Sequence, residues 1–178
     1  ETAWIYATGE LWFRVPETIE IICNGSLQDG VVSKDMFLYI IGKYSPSMSQ
    51  YKSVEWKGPV IDGMSMDGRL TLACHSIELG AKCAPFGPDD TCLEYVASTP
   101  RSDEPYCPTA SDPDAVFEKV YVEDFSNLEP QVALPHGFDV VLPVSEVAGT
   151  RIDQCNLGTC ANGRYEDLAL FARIVKGM

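Results

Sequence analysis

The chain has 178 residues, with 46% hydrophobic and 10% aromatic positions, enough for a real apolar core. Its formal net charge is −13, which argues against a nucleic-acid or anionic-membrane surface, since both need clustered Lys and Arg. No apolar run is long enough to span a bilayer and the N-terminus does not read as a signal peptide.

Glu1 to Tyr6 reads as the end of a helix already under way, and Ala172 to Met178 stops as a helix would finish. The expectation is a segment of a longer polypeptide. Glu17 to Cys23 alternates Ile19, Ile21 and Cys23 and predicts a strand, followed by turn signals at Asn24-Gly25 and Asp29-Gly30. Ser33 is placed as the cap of a helix through about Lys43, with Met36, Phe37, Ile40, Ile41 and Tyr44 on one face. Val54 to Val60 predicts a second strand, limited by Gly58-Pro59. Ser65 opens the clearest helix, on which Leu70, Ala73, Cys74, Ile77 and Ala81 define the apolar face. Asp89 or Asp90 caps a short helix carrying Leu93, Tyr95 and Val96.

Pro100 to Pro113 predicts an exposed loop and Val120 to Val122 a strand. Pro130, Pro135 and Pro143 divide the next stretch into extended segments. Ile152 to Leu157 predicts a strand that passes through Gly158-Thr159-Cys160 into a helix near Tyr165 to Lys176. Strands and helices alternate, so the expected fold is α/β, a layered α/β/α domain with a mostly parallel sheet. The expected organisation is a linker over residues 1–15, one α/β domain over 16–148, and the start of a neighbouring α/β domain over 149–178.

The seven cysteines at 23, 74, 83, 92, 107, 155 and 160 form no Cys-x-x-Cys pair, and a reduced, cytoplasmic chain fits them better than a disulfide framework. With two His and neither at ligand spacing from a Cys, zinc is disfavoured. Cys160, between a predicted strand and helix, stands where helix N–H groups stabilise a thiolate or anion. The competing reading is a small residue in a tight turn. Glu78 lies in the last turn of an apolar helix, where a solvated surface carboxylate is the simpler reading. His75, on the same helix, reads as a partly buried, hydrogen-bonded side chain, and His136 as a loop residue.

Several longer strings change this balance. Thr8 to Ile19, Ser33-Lys34-Asp35, Ile40 to Lys43, Met64 to Leu72, Pro130 to His136, Pro143 to Val147 with Gly149, and Gly158-Thr159-Cys160-Ala161-Asn162-Gly163-Arg164 occur in one order. Together they resemble the large subunits of the aconitase superfamily, in its 3-isopropylmalate dehydratase and homoaconitase branch, over nearly the whole chain. The resemblance implies a second-domain-like α/β fold and a 4Fe–4S cluster held by three thiolates, one iron being left open to act as a Lewis acid. It implies dehydration and rehydration of a small 2-hydroxy acid. Cys160 matches the first cluster ligand, and Glu78 matches an active-site carboxylate near the leaving hydroxyl. The implied partners are the remaining domains of the large subunit and a small subunit carrying a swivelling domain.

The sequence departs from the family pattern. It lacks the downstream Cys-Gly-Pro-Cys motif and the upstream Asp-Ser-His motif, so this chain alone is expected to bind no stable cluster and to be inactive. Thr159 and Ala161 flank Cys160 in place of the commoner Ser and Thr, and Cys74 stands where the family usually has Asn. The rival expectations are aconitase or homoaconitase chemistry, or a non-catalytic α/β module of the same fold.

Overall fold

The computed structural model describes residues 2–98 and 106–177. A short helix, α1 (Thr2–Thr8), precedes the strand β1 (Thr18–Asn24), the helix α2 (Ser33–Tyr44) and the strand β2 (Ser53–Lys57). Two helices follow, α3 (Pro59–Asp62) and α4 (Met66–His75); α4 runs directly into a 3-10 turn, Ser76–Leu79. The remaining elements are α5 (Asp90–Ser98), β3 (Lys119–Asp124), the hairpin strands β4 (Gln131–Ala133) and β5 (Val141–Pro143), α6 (Val144–Val147) and α7 (Tyr165–Val175).

Strands β1, β2 and β3 form a parallel sheet in the order β2-β1-β3. Parallel neighbours cannot be joined by a tight turn, so the helical segments act as crossovers. Ile21 lies between Trp56 of β2 and Tyr121 of β3, and all three side chains are buried. Because side chains alternate along a strand, Ile19, Ile21 and Cys23 share the face that meets α2. Met36, Phe37, Ile40 and Ile41 of α2 complete that core. Burial pushes the Cys23 thiol up to about 12, with Glu123 adding to the shift. The opposite face carries Glu20, Glu55 and Lys57 in ion pairs of 2.9 Å. Ser111 donates to Glu55 there at 2.6 Å, while Val120 and Val122 remain exposed.

The α/β class and the parallel sheet match the sequence expectation, as do β1, α2, β3 and α7 in place. Other expectations are corrected. The second strand ends at Lys57, because Pro59 with its fixed φ begins the short helix α3. The cap of α2 is Val32, whose N–H donates to the Asp35 carboxylate at 2.8 Å. The expected strand over Ile152 to Leu157 is irregular chain. The expected apolar face of α4 is the wrong one: Cys74 is exposed and Ile77 is 71% exposed. Arg69, Leu72, Ser76 and Leu79 are buried instead, since polar groups on that face find partners inside the fold. The loop expected over Pro100 to Pro113 lies partly outside the described residues, and 106–113 is exposed chain without regular structure.

Candidate functional site

One short helical segment positions most of the site. Ser65 caps α4 by accepting from the Gly68 N–H at 3.2 Å. Thr71 and His75, one turn apart, then share a face, and the 3-10 turn carries Glu78 onward. Gly80 ends the turn with φ +88, a left-handed conformation that favours glycine. His75 is 5% exposed, and its ring stacks on Phe37 of α2 with centroids 4.8 Å apart. Its Nδ1 lies 2.6 Å from Glu78 Oε2. The Glu78 side chain is 42% exposed, with Oε2 held by the buried ring.

Two further groups converge on the other ring nitrogen. Lys34 Nζ is 2.9 Å from His75 Nε2, and Asn162 Oδ1 is 3.2 Å from the same atom. Lys34 sits in the first turn of α2 and is half-buried. Burial pulls its ammonium below the ordinary value, while Glu78, Cys160, Cys74 and Asp35 act in the opposite direction. The His75 ring therefore joins Glu78, at Nδ1, to Asn162 on the loop that carries Cys160, at Nε2.

The loop bearing Cys160 docks on α4 through its neighbours. Ala161 is buried, and its carbonyl accepts from Thr71 Oγ1 at 3.3 Å. Asn162 reaches Thr71 at 3.5 Å, and the Asn162 carbonyl accepts from the Thr159 N–H at 2.8 Å. Gly158 and Gly163 close the neck of the loop with φ +101 and +106, and a Cβ on Gly163 would lie 2.9 Å from the Gly158 Cα. Cys160 is left exposed at the tip. The Asp167 carboxylate accepts from the Gly163 and Arg164 N–H groups at 2.8 and 3.0 Å and thereby starts α7.

Beside this cluster a cavity of about 320 Å³ is lined by Lys34, Leu157, Thr159, Asn162 and Phe171. Neither Glu78 nor Cys160 lines it, so the ionisable cluster and not the cavity marks the chemistry. His136 is exposed in the β4–β5 hairpin with φ +78 and stands apart from the cluster's hydrogen bonds. Sequence reasoning passed over Lys34, Thr71 and Asn162. The three-residue spacing of His75 and Glu78 was a usable signal for their pairing on one helical face; the 41-residue separation of Lys34 and His75 carried none.

The aconitase family (aconitate hydratase) matches residues 1–151. The chain belongs to the aconitase family. It is 46% identical over 177 residues to a probable methanogen homoaconitase large subunit of Methanosarcina mazei, covering 99% of this chain and 45% of that protein. It is 43% identical over 177 residues to 3-isopropylmalate dehydratase large subunit 1 of Methanopyrus kandleri, covering 99% and 42%. With the 3-isopropylmalate dehydratase large subunit of Halothermothrix orenii it shares 42% over 170 residues, covering 96% and 40%. The chain thus spans less than half the length of these relatives. The family match stops before Cys160, whereas the alignments to the first two relatives include nearly every residue.

The family implies an iron–sulfur cluster in a complete protein. Cys160 fits one ligand position: its thiol is exposed on a pinned loop, and thiolate is the donor such clusters use. No group of three or more His, Cys, Asp or Glu among the described residues could hold a metal ion. No helix of the described residues is long and apolar enough to cross a membrane.

Proposed function

We propose that, within a protein of the relatives' full length, this chain supplies two parts of a hydro-lyase site: Glu78 as the carboxylate beside the substrate and Cys160 as one of three thiolate ligands. The link from Glu78 through the His75 ring to Asn162, two residues beyond Cys160, is the observation that supports the reading. When bound, a 4Fe–4S cluster with one open iron supplies Lewis-acid polarisation of a substrate hydroxyl. The residues here do the rest. Glu78 Oε2 is engaged by His75, so Oε1 is the oxygen that can take or give a proton at the substrate. Lys34 places positive charge where an anionic substrate gathers negative charge.

The substrate class is a small 2-hydroxy acid whose hydroxyl moves between adjacent carbons by loss and return of water. 3-Isopropylmalate is the first choice, since two of the relatives named above are 3-isopropylmalate dehydratase large subunits. Homoaconitase chemistry is the second, given the 46% identical homoaconitase large subunit. The remaining cluster ligands and a separate small subunit complete the site, and seven free thiols suit the reducing cytoplasm.

The test is E78Q and C160S in the complete enzyme. E78Q should abolish turnover while leaving the cluster absorbance intact, whereas C160S should lose the cluster. Near-normal turnover in E78Q would remove Glu78 from the mechanism. Anaerobic reconstitution of the 178-residue chain should yield no cluster that survives desalting. A stoichiometric cluster needing Cys160 and two other cysteines of this chain would show that it holds the full ligand set.

A further inference from the structure

We propose that His75 is a positioning residue for Glu78, holding the carboxylate through Nδ1–H while Lys34 engages the opposite ring nitrogen. The inference rests on the reading of Glu78 as the substrate carboxylate, but its geometry stands separately. An ionised carboxylate can only accept, so the 2.6 Å contact with Oε2 requires the proton on Nδ1. Nε2 is then left to meet Lys34 at 2.9 Å. Either the ammonium donates to a bare Nε2, and the Asn162 oxygen is then no hydrogen-bond partner of the ring, or Nε2–H is shared between that oxygen and a neutral amine; two protonated nitrogens cannot share that distance. In both arrangements Nδ1–H still points at Glu78.

The ring cannot easily turn away from this arrangement. It is buried and stacked on Phe37, and Asn162 approaches Nε2 from the Cys160 loop at 3.2 Å. Glu78, by contrast, is a partly exposed side chain on a 3-10 turn. A single strong hydrogen bond to one oxygen fixes where the other oxygen lies. Misplacing a catalytic group by about 1 Å can cost on the order of 100-fold in rate, so the contact matters far more to turnover than to folding.

The experiment uses three substitutions in the complete enzyme. H75A should lower kcat by roughly 10- to 100-fold with KM little changed, because the His75 ring is buried behind Glu78. Asn presents its amide nitrogen near the position of Nδ1, and Gln near that of Nε2. H75N should therefore recover most of the lost turnover and H75Q should not, although both lose the stack on Phe37 alike. Equal loss in H75N and H75Q, or a loss confined to KM, would overturn the proposal. In the 178-residue chain, nitrogen NMR of the imidazole should show a protonated Nδ1 whose signal moves in E78Q. A bare Nδ1 would overturn the hydrogen bond itself. E78Q assayed alongside separates the two readings: retained turnover there defeats the catalytic assignment of Glu78, while the NMR result reports on the His75 contact alone.

Discussion

Arg69 and Asp89 meet through two parallel hydrogen bonds of 2.7 Å, Nη1 to Oδ1 and Nη2 to Oδ2. The guanidinium is 2% exposed and the carboxylate side chain 40% exposed. The pair joins α4 to the start of α5, because Asp89 Oδ1 also accepts from the Cys92 N–H at 2.9 Å. Replacing Asp89 by Ala leaves a buried cation without its counter-charge. The expected loss is about 2–3 kcal/mol, below the usual range for a fully buried pair because Asp89 itself is partly solvated. Chemical denaturation of D89A measures it.

The same pair sets an acid limit. The Arg69 guanidinium holds the Asp89 carboxyl at about 2, against an ordinary 3.8. A carboxyl depressed in the folded state contributes stability that is complete above the unfolded value and is lost as pH falls through the folded one. The wild-type chain should therefore lose stability between roughly pH 4 and pH 2 more steeply than D89N. Thermal melts of both across that window check the difference, and parallel curves would exclude Asp89 as a contributor.

Glu123 is the acceptor for three side chains of α2. Tyr39 donates at 3.1 Å, Lys43 at 2.7 Å and Tyr44 through a shorter contact. Burial works against its charge, yet these donors together lower its carboxyl below the usual value. Burial, followed by the hydrogen bond and charge of Glu123, pushes Tyr44 up to about 12. E123Q should lower the ionisation point of Tyr44 without returning it fully to the ordinary tyrosine value, because burial persists. Ultraviolet titration of tyrosinate in E123Q and wild type reads this directly.

Trp56 Nε1 donates to Ser76 Oγ at 3.0 Å, and that hydroxyl donates onward to the Leu72 carbonyl at 2.8 Å. Both side chains are buried. S76A strands the indole N–H away from water and should cost about 1–3 kcal/mol. A lowered denaturation midpoint with a shift in tryptophan emission is the expected result.

Gly80 adopts φ +88, and a Cβ there would lie 3.1 Å from the Gln50 Cα. G80A should destabilise the chain by about 1–2 kcal/mol from the left-handed backbone alone. It should also lower turnover of the complete enzyme, since Glu78 lies two residues away on the turn that Gly80 terminates. A variant with reduced stability and full turnover would show that the turn tolerates the strain.

The sheet and α2 were legible because their patterns are dense and unbroken: Ile19, Ile21 and Cys23 alternate, and Met36 to Ile41 repeat at helical spacing. The face of α4 was misread for a physical reason. Its buried side includes Arg69, Thr71, His75 and Ser76, each satisfied by a partner distant in sequence or by a main-chain carbonyl, so polarity misled the periodicity. Ile152 to Leu157 has strand-like residues but no neighbouring strand to pair with among the described residues. Glu78 and Cys160 each stood out singly in the sequence, but only the family resemblance tied them to one chemistry, because neither spacing nor composition links them. The gathering of Lys34, Glu78 and Asn162 around His75 depends on a long-range fold that no local pattern encodes.

The loop that ends in Cys160 is anchored by the Ala161 carbonyl, the Asn162 side chain and the two glycines at its neck, while the thiol itself lies outside that anchoring. Residue 160 is therefore thermodynamically separable from the fold. Selection can change or remove the side chain at the tip with little penalty in folding, whereas changes at 158, 161, 162 or 163 disturb the platform beneath it.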